Sequence, residues 1–233
     1  GTARVVGKVD RVDGWLHDGK LYLRVVDYKT GKKSFDLAEL RYGLGLQMLL
    51  YLFTLKEEGQ MLFGGHEIVP AGVLYTPARE PMLRCARDTE PETIEKALKK
   101  ELRRSGMVLE DPAVLQAMEH SALESPCYLP IAVKRDGAVT GSLASAEQLG
   151  KLSKYVDHIL HEITQEVFAG NIDADPYART PQQSACTYCE FASACHFENG
   201  CGSDRMEYIK ATKNDEFWQY IDELNGEGAH ENG

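Results

Sequence analysis

Apolar and polar residues alternate over 5–15 and again over 21–30, the period of two that marks half-buried β-strands. Between them stands His17-Asp18-Gly19-Lys20, and Asp-Gly is the favoured two-residue connection of a type I′ hairpin. With Asp18 and Gly19 as the loop, His17 pairs with Lys20. Counting back from there sets Asp13 opposite Arg24 and Asp10 opposite Asp27. The period then lengthens. Asp36 caps a helix predicted over 37–58, with an apolar stripe through Leu40, Leu44, Met48, Tyr51, Leu52 and Leu55. A third strand is predicted over 66–75, then helices over 92–104 and, from Asp111-Pro112, over 113–119. A short strand over 131–134 precedes an Asp136-Gly137 turn. Ser145 opens the longest helix, Ala146–Ala169, closed by Gly170-Asn171. A terminal helix over 216–224 and a disordered tail of the last nine residues complete the expectation. Strand, strand, helix, strand implies an α/β fold with a mixed central sheet flanked by helices.

The predicted hairpin register carries chemistry. Asp10 and Asp27 face each other with Cβ atoms roughly 5 Å apart, and like charges so placed destabilise a sheet unless something neutralises them. Lys29, two residues on, shares the face of Asp27. Mg²⁺ or Mn²⁺ would satisfy the two carboxylates, with the backbone carbonyl of Tyr28 as a further oxygen ligand. The Tyr28 ring is expected to turn to the opposite, core side. Lys29 would orient a water or stabilise developing negative charge. This is the local geometry of a metal-dependent phosphodiesterase. The plain alternative is a solvated, charged strand face. Asp13 opposite Arg24 is the structural counterpart, a cross-strand ion pair. Gln47 and Tyr51 lie one helical turn apart and could reach the same phosphate, unless Tyr51 is core and Gln47 surface.

A length of 233 residues supports one large domain or one domain with appendages. No run of eighteen apolar residues and no leader pattern is present, so a soluble, cytoplasmic protein without a membrane role is expected. The chain opens on Gly1 and enters a strand within a few residues, as expected of a fragment of a longer protein. Its net charge of −10 opposes a strong grip on nucleic acid. The basic run Lys96, Lys99, Lys100, Arg103 and Arg104 reads as a solvated helix face. Cys85 and Cys127 stand alone and read as buried thiols. Cys186, Cys189, Cys195 and Cys201 have the spacing C-x2-C-x5-C-x5-C, which points to metal or cluster ligation before disulfides.

Gly7-Lys8-Val9-Asp10-Arg11-Val12-Asp13, Asp27-Tyr28-Lys29-Thr30-Gly31 and Gln47-Met48-Leu49-Leu50-Tyr51 resemble successive motifs of the RecB-type branch of the PD-(D/E)XK nucleases. The Gln-x3-Tyr helix is specific to that branch. The resemblance implies a restriction-endonuclease-like core, here lacking its N-terminal helix. It matches Asp10 and Asp27 to the metal-binding acids, Lys29 to the catalytic lysine, and Gln47 and Tyr51 to an accessory pair. Cys186, Cys189 and Cys195 resemble the later part of an iron–sulfur motif of this branch, three of the four thiolates of a 4Fe-4S cluster whose first cysteine lies far upstream. An isolated fragment is then expected to hold little intact cluster, unless Cys201 substitutes.

Tyr42-Gly43-Leu44-Gly45-Leu46-Gln47, Met107-Val108-Leu109-Glu110-Asp111 and the long helix extend the likeness to the AddB family of bacterial helicase–nuclease subunits. It covers about 5–195. It implies a metal-dependent exonuclease acting on single-stranded DNA from an unwound duplex end, working with an AddA-type helicase–nuclease subunit in recombinational repair. The expected organisation is a nuclease domain over 1–180 with a helical insertion over 77–130, an iron–sulfur motif over 181–201, and a polar tail over 202–233. Three readings compete: a stand-alone exonuclease of the CRISPR-adaptation type, an inactive DNA-binding or assembly module, and a zinc-binding interaction module.

Overall fold

The computed structural model describes residues 2–227. Along the chain come β1 (Arg11–His17), β2 (Lys20–Lys29), α1 (Leu37–Arg41), α2 (Gln47–Glu58), β3 (Glu67–Pro77), α3 (Pro91–Glu101) and β4 (Ser105–Leu109). They are followed by α4 (Pro112–Met118), β5 (Ile131–Val133), β6 (Val139–Gly141), β7 (Leu143–Ala144), α5 (Ala146–Ala169), β8 (Tyr177–Thr180), β9 (Gln183–Ser184), α6 (Ala192–Cys195), β10 (Glu207–Tyr208) and α7 (Asn214–Glu227). Two compact units result, one from 5–35 and 45–156, the other from 2–4, 36–44 and 157–227.

The first unit is built on a mixed sheet in the order β1-β2-β3-β4-β7. β1 is antiparallel to β2, β2 parallel to β3, β3 antiparallel to β4, and β4 parallel to β7. The hairpin turn is as expected: Asp18 and Gly19 both have positive φ, 49° and 77°, the mark of type I′. Its register also holds, with His17 against Lys20 and Asp13 against Arg24. β3 tolerates Pro70 because the ladder slips there: Leu23 faces Pro70 and Arg24 faces Gly72, leaving Ala71 as the extra residue of a bulge.

Both faces of this sheet are covered. Met48, Leu49, Leu52 and Phe53 of α2 are buried, and that helix packs on β2 and β3. On the other face Val26, Leu74 and Val108 join Leu115, Ala122, Leu129 and Ile131 in one cluster. The reading of 77–130 as helical omitted β4, whose Met107, Val108 and Leu109 are buried inside the sheet. A five-residue apolar run does not reveal by periodicity whether it is strand or helix.

One expected helix is two. Over 37–58 the helix stops at Arg41 and resumes at Gln47, because Gly43 and Gly45 both sit at φ 71°. That left-handed backbone ends a helix and costs glycine nothing sterically. The Asp36 cap is in place, its carboxylate accepting the Ala38 N–H at 2.8 Å.

In the second unit β10-β8-β9 form a small sheet, and α1 contacts α7. Arg41 lies 4.6 Å from the Tyr220 ring centroid, and Arg179 pairs with Asp36 and Glu39. The region read as a polar tail contains α7, whose Phe217 and Ile221 are fully buried one turn apart. Of the nine residues expected to be disordered, the first three end α7 and 228–233 lie outside the described residues. Cys85 is exposed and Cys127 half-buried, so neither is the buried thiol expected. No helix among the described residues is long and apolar enough to cross a membrane.

Asp13 clamps the hairpin. Arg24 approaches its carboxylate at 2.8 Å and Arg11 at 2.5 Å. Burial pushes the Asp13 carboxyl up, but the hydrogen bonds from Arg11 and Arg24 outweigh it and hold the group below its usual range. A carboxyl depressed by folding adds stability above its unfolded value, and that stability is lost as pH falls through the folded value. Urea melts should therefore show wild type losing its advantage over Asp13→Asn below about pH 4. A constant difference across that range would remove Asp13 from the acid limb.

Candidate nuclease site

Asp27 and Lys29 stand on the face of β2 that α2 covers, as the strand period requires. The Lys29 ammonium is 2.6 Å from Asp27 Oδ2, with the Asp27 side chain 12% exposed and that of Lys29 37%. Asp27 Oδ2 is buried and makes no hydrogen bond of regular geometry among the described residues. A buried anionic oxygen satisfied by a single ammonium keeps acceptor capacity for a cation. Tyr75, which faces Asp27 across β2 and β3, sets its ring 5.8 Å from the Lys29 ammonium. Nothing in the strand pattern singled Tyr75 out, because its role comes from register on a parallel neighbour.

Asp10 reaches this end of β2 by another route than expected. The ladder closes at Arg11 against Val26, so Asp10 lies one residue outside the sheet and is not a strand partner of Asp27. Its side chain supplies what a longer strand would have given: Oδ2 accepts the Tyr28 N–H at 3.1 Å. In an extended strand a residue's N–H and C=O point to the same edge, so the Tyr28 carbonyl faces the side from which Asp10 approaches. The Tyr28 ring departs from the core-side expectation. It is 43% exposed, and its hydroxyl accepts from Arg11 at 3.0 Å, because the sheet beyond Val26 has no covering element on that face.

Gln47 and Tyr51 do share a face of α2, with Gln47 Nε2 donating to Tyr51 Oη at 3.0 Å. Gln47 is exposed and Tyr51 half-buried. The Tyr51 ring also lies against Gly7, where an added Cβ would come within 2.5 Å of Cε1. The segment leading to Asp10 is thereby held against the Gln47–Tyr51 pair.

The basic run divides. Lys96 and Lys99 pair with Glu92 and Glu95 one turn earlier, the solvated face that was expected. Lys100 and Arg103 instead line a cavity of about 310 Å³ that also takes in Lys29. Arg104 is half-buried, and that burial lowers its pKa.

Two carboxylates and a carbonyl are hard oxygen donors of the kind Mg²⁺ or Mn²⁺ prefers, and the unsatisfied Asp27 oxygen fits such an ion. The cysteine segment is different. Cys189, Cys195 and Cys201 are exposed and Cys186 half-buried. No three His, Cys, Asp or Glu side chains among the described residues converge in a set able to hold a metal. As they stand, the thiols do not form a cluster site.

The model of the PD-(D/E)XK nuclease superfamily matches residues 1–196. The chain belongs to this superfamily. Asp27-Tyr28-Lys29 spells the (D/E)XK half of its name. Curated relatives, all AddB subunits of an ATP-dependent helicase/deoxyribonuclease, share the likeness over nearly the whole chain. The relative from Ruminiclostridium cellulolyticum is 32% identical over 223 residues, 95% of this chain and 19% of the relative. Its namesake in Clostridium botulinum (strain Loch Maree / Type A3) is 34% identical, covering 94% and 19%. That of Thermoanaerobacter sp. (strain X514) is 31% identical over 227 residues, covering 96% and 20%. The chain thus spans about one-fifth of the length of these relatives.

Proposed function

We propose that this chain is the Mg²⁺- or Mn²⁺-dependent nuclease domain of a bacterial helicase–nuclease subunit, an exonuclease hydrolysing single-stranded DNA fed from an unwound duplex end. The observation that carries the reading is the buried Asp27 carboxylate, 2.6 Å from the Lys29 ammonium, beside a Tyr28 amide held by Asp10. In this mechanism Asp10, Asp27 and the Tyr28 carbonyl hold the ion, which supplies charge neutralisation and a more acidic water. Lys29, released from Asp27 when the ion is bound, orients the attacking water and faces the charge that develops on the phosphate. Gln47 and Tyr51 position the scissile phosphate from α2. The parent would act with an AddA-type partner in resecting double-strand ends. A stand-alone exonuclease is disfavoured by relatives about five times longer than this chain.

The test is cleavage of 5′-labelled single-stranded DNA by the purified chain and by its longer parent, with Mg²⁺ and with EDTA. Cleavage that needs the metal is expected. Equal products with and without EDTA would overturn the metal-dependent reading.

Cys186, Cys189 and Cys195 enter the proposal as iron–sulfur ligands on spacing and resemblance alone, with a fourth thiolate supplied from outside this chain. Their lack of convergence sets the expectation for the isolated chain. Iron and sulfide analysis after anaerobic purification should return far less than one cluster per chain. Stoichiometric iron with a stable visible band would show that Cys201 or another group here completes the site.

A further inference from the structure

The cavity of about 310 Å³ opens where β2 and β3 end and β4 begins, between the loop after Lys29 and the end of α3. Its walls are pinned. Ala78 N–H donates to the Lys29 carbonyl at 2.9 Å, and Phe35 N–H donates to Ser105 Oγ at 2.7 Å. Arg103 is committed to the wall itself, donating to the carbonyls of Leu129, at 3.0 Å, and Ile131. Arg79 is held by Glu101 at 3.2 Å.

The lining is unlike the rest of the chain. Six of its side chains are cationic (Lys29, Lys32, Lys33, Arg79, Lys100 and Arg103) against the single carboxylate of Glu101, in a chain of net charge −10. Lys32 and Lys100 are exposed and make no ion pair among the described residues. Lys96 and Lys99, on the same helix outside the cavity, are each paired with a glutamate. Cations in such excess over carboxylates around a rigid concavity form a polyanion seat. Lys29 belongs both to this lining and to the Asp27 pair, so the cavity continues directly from the candidate cleavage point.

We infer that this cavity seats the backbone phosphate adjacent to the one cleaved, with Lys32 and Lys100 neutralising it and Glu101 holding Arg79 in position. The inference rests on the nuclease reading for its substrate, single-stranded nucleic acid. Each lysine that neutralises a phosphate adds about 0.7 to the salt slope of single-strand binding. Lys32→Ala/Lys100→Ala in the whole chain should therefore lower the slope by about 1.4 between about 50 and 200 mM salt. That slope is read by anisotropy of a fluorescein-labelled oligodeoxythymidylate with EDTA present. Affinity should fall by about tenfold at the lower salt. In the cleavage assay KM should rise with kcat retained, because the lost contact is made equally in the ground and transition states. Both lysines are exposed, so the double variant should fold, as circular dichroism will report. Lys96→Ala/Lys99→Ala is the matched control and should bind like wild type.

An unchanged slope and KM in Lys32→Ala/Lys100→Ala, or an equal loss in the control variant, would overturn the inference. A fall in kcat without a rise in KM would do the same. Failure of the underlying reading looks different. A chain that never cleaves DNA, yet loses oligonucleotide binding in Lys32→Ala/Lys100→Ala alone, keeps the phosphate seat and loses the nuclease. Cleavage that depends on metal but ignores the double variant keeps the nuclease and loses the seat.

Discussion

Asp27→Asn will lower metal-dependent cleavage by about a hundredfold or more, because the substitution keeps the shape of the side chain and removes the charge that would hold the ion. Asp27 is the most buried charged group of the site, and its Oδ2 has only an ion-pair contact, so its anionic oxygen is placed for a cation and not for the fold. Lys29→Ala should cost about as much, on the scale of removing a group that stabilises transition-state charge. Neither change should unfold the chain. The ammonium left by Asp27→Asn is partly exposed and can be solvated, and Lys29 contributes little buried surface. The measurement is single-turnover cleavage at saturating Mg²⁺, with circular dichroism as the folding control. Rates near wild type in either variant would remove that residue from the mechanism. Asp10→Asn should also be defective, with a smaller loss: the amide oxygen still accepts the Tyr28 N–H but no longer offers a charge to the ion.

Glu119→Ala should give the largest loss of stability without touching the site. The Glu119 carboxylate ends α4 and accepts three consecutive backbone N–H groups, those of Cys127, Tyr128 and Leu129, the last two at 3.1 and 2.9 Å. Leu129 is fully buried in the core cluster, and its carbonyl receives Arg103 from the cavity wall. Removing the carboxylate leaves three donors without acceptors in a half-buried turn, a loss of about 2 to 4 kcal/mol after partial rescue by water. For a chain of this size that corresponds to a fall in Tm of about 5 to 15 °C. Glu119→Gln keeps one acceptor oxygen and should fall between the two. Urea or thermal melts of the three proteins decide it, and a Glu119→Ala loss under about 0.5 kcal/mol would show the turn to be self-supporting.

Much of this molecule follows from residues close together in the chain. Asp18-Gly19 chooses its turn, and the turn sets the register that pairs Asp13 with Arg24 and puts Asp27 and Lys29 on one face. Ser145 and Gln148 exchange hydrogen bonds at the start of α5 as a capping box, and Gly170 closes that helix at φ 73°. These features are local because each is decided by hydrogen bonds and dihedral angles within a few residues. The motif order Asp10, Asp27-x-Lys29, Gln47-x3-Tyr51 also belongs to the sequence, and superfamily membership bears out the nuclease fold that it implied.

Other features needed the folded chain. β4 enters the sheet because β3 and β7 both offer it an edge, which its own five residues could not announce. Asp10 ends its strand one residue early and binds β2 through its side chain, a choice between two acceptors for one Tyr28 N–H. Tyr75 beside Lys29, Gly7 beneath Tyr51 and Glu119 under a distant turn are contacts between residues far apart in sequence. The division of one basic run into paired Lys96 and Lys99 and cavity-lining Lys100 depends on where α3 ends against the sheet. The sequence by itself determined which chemical groups are present and which way each local element turns. The tertiary structure alone decided which of those groups meet, because burial and long-range pairing, not local preference, set the distances between them.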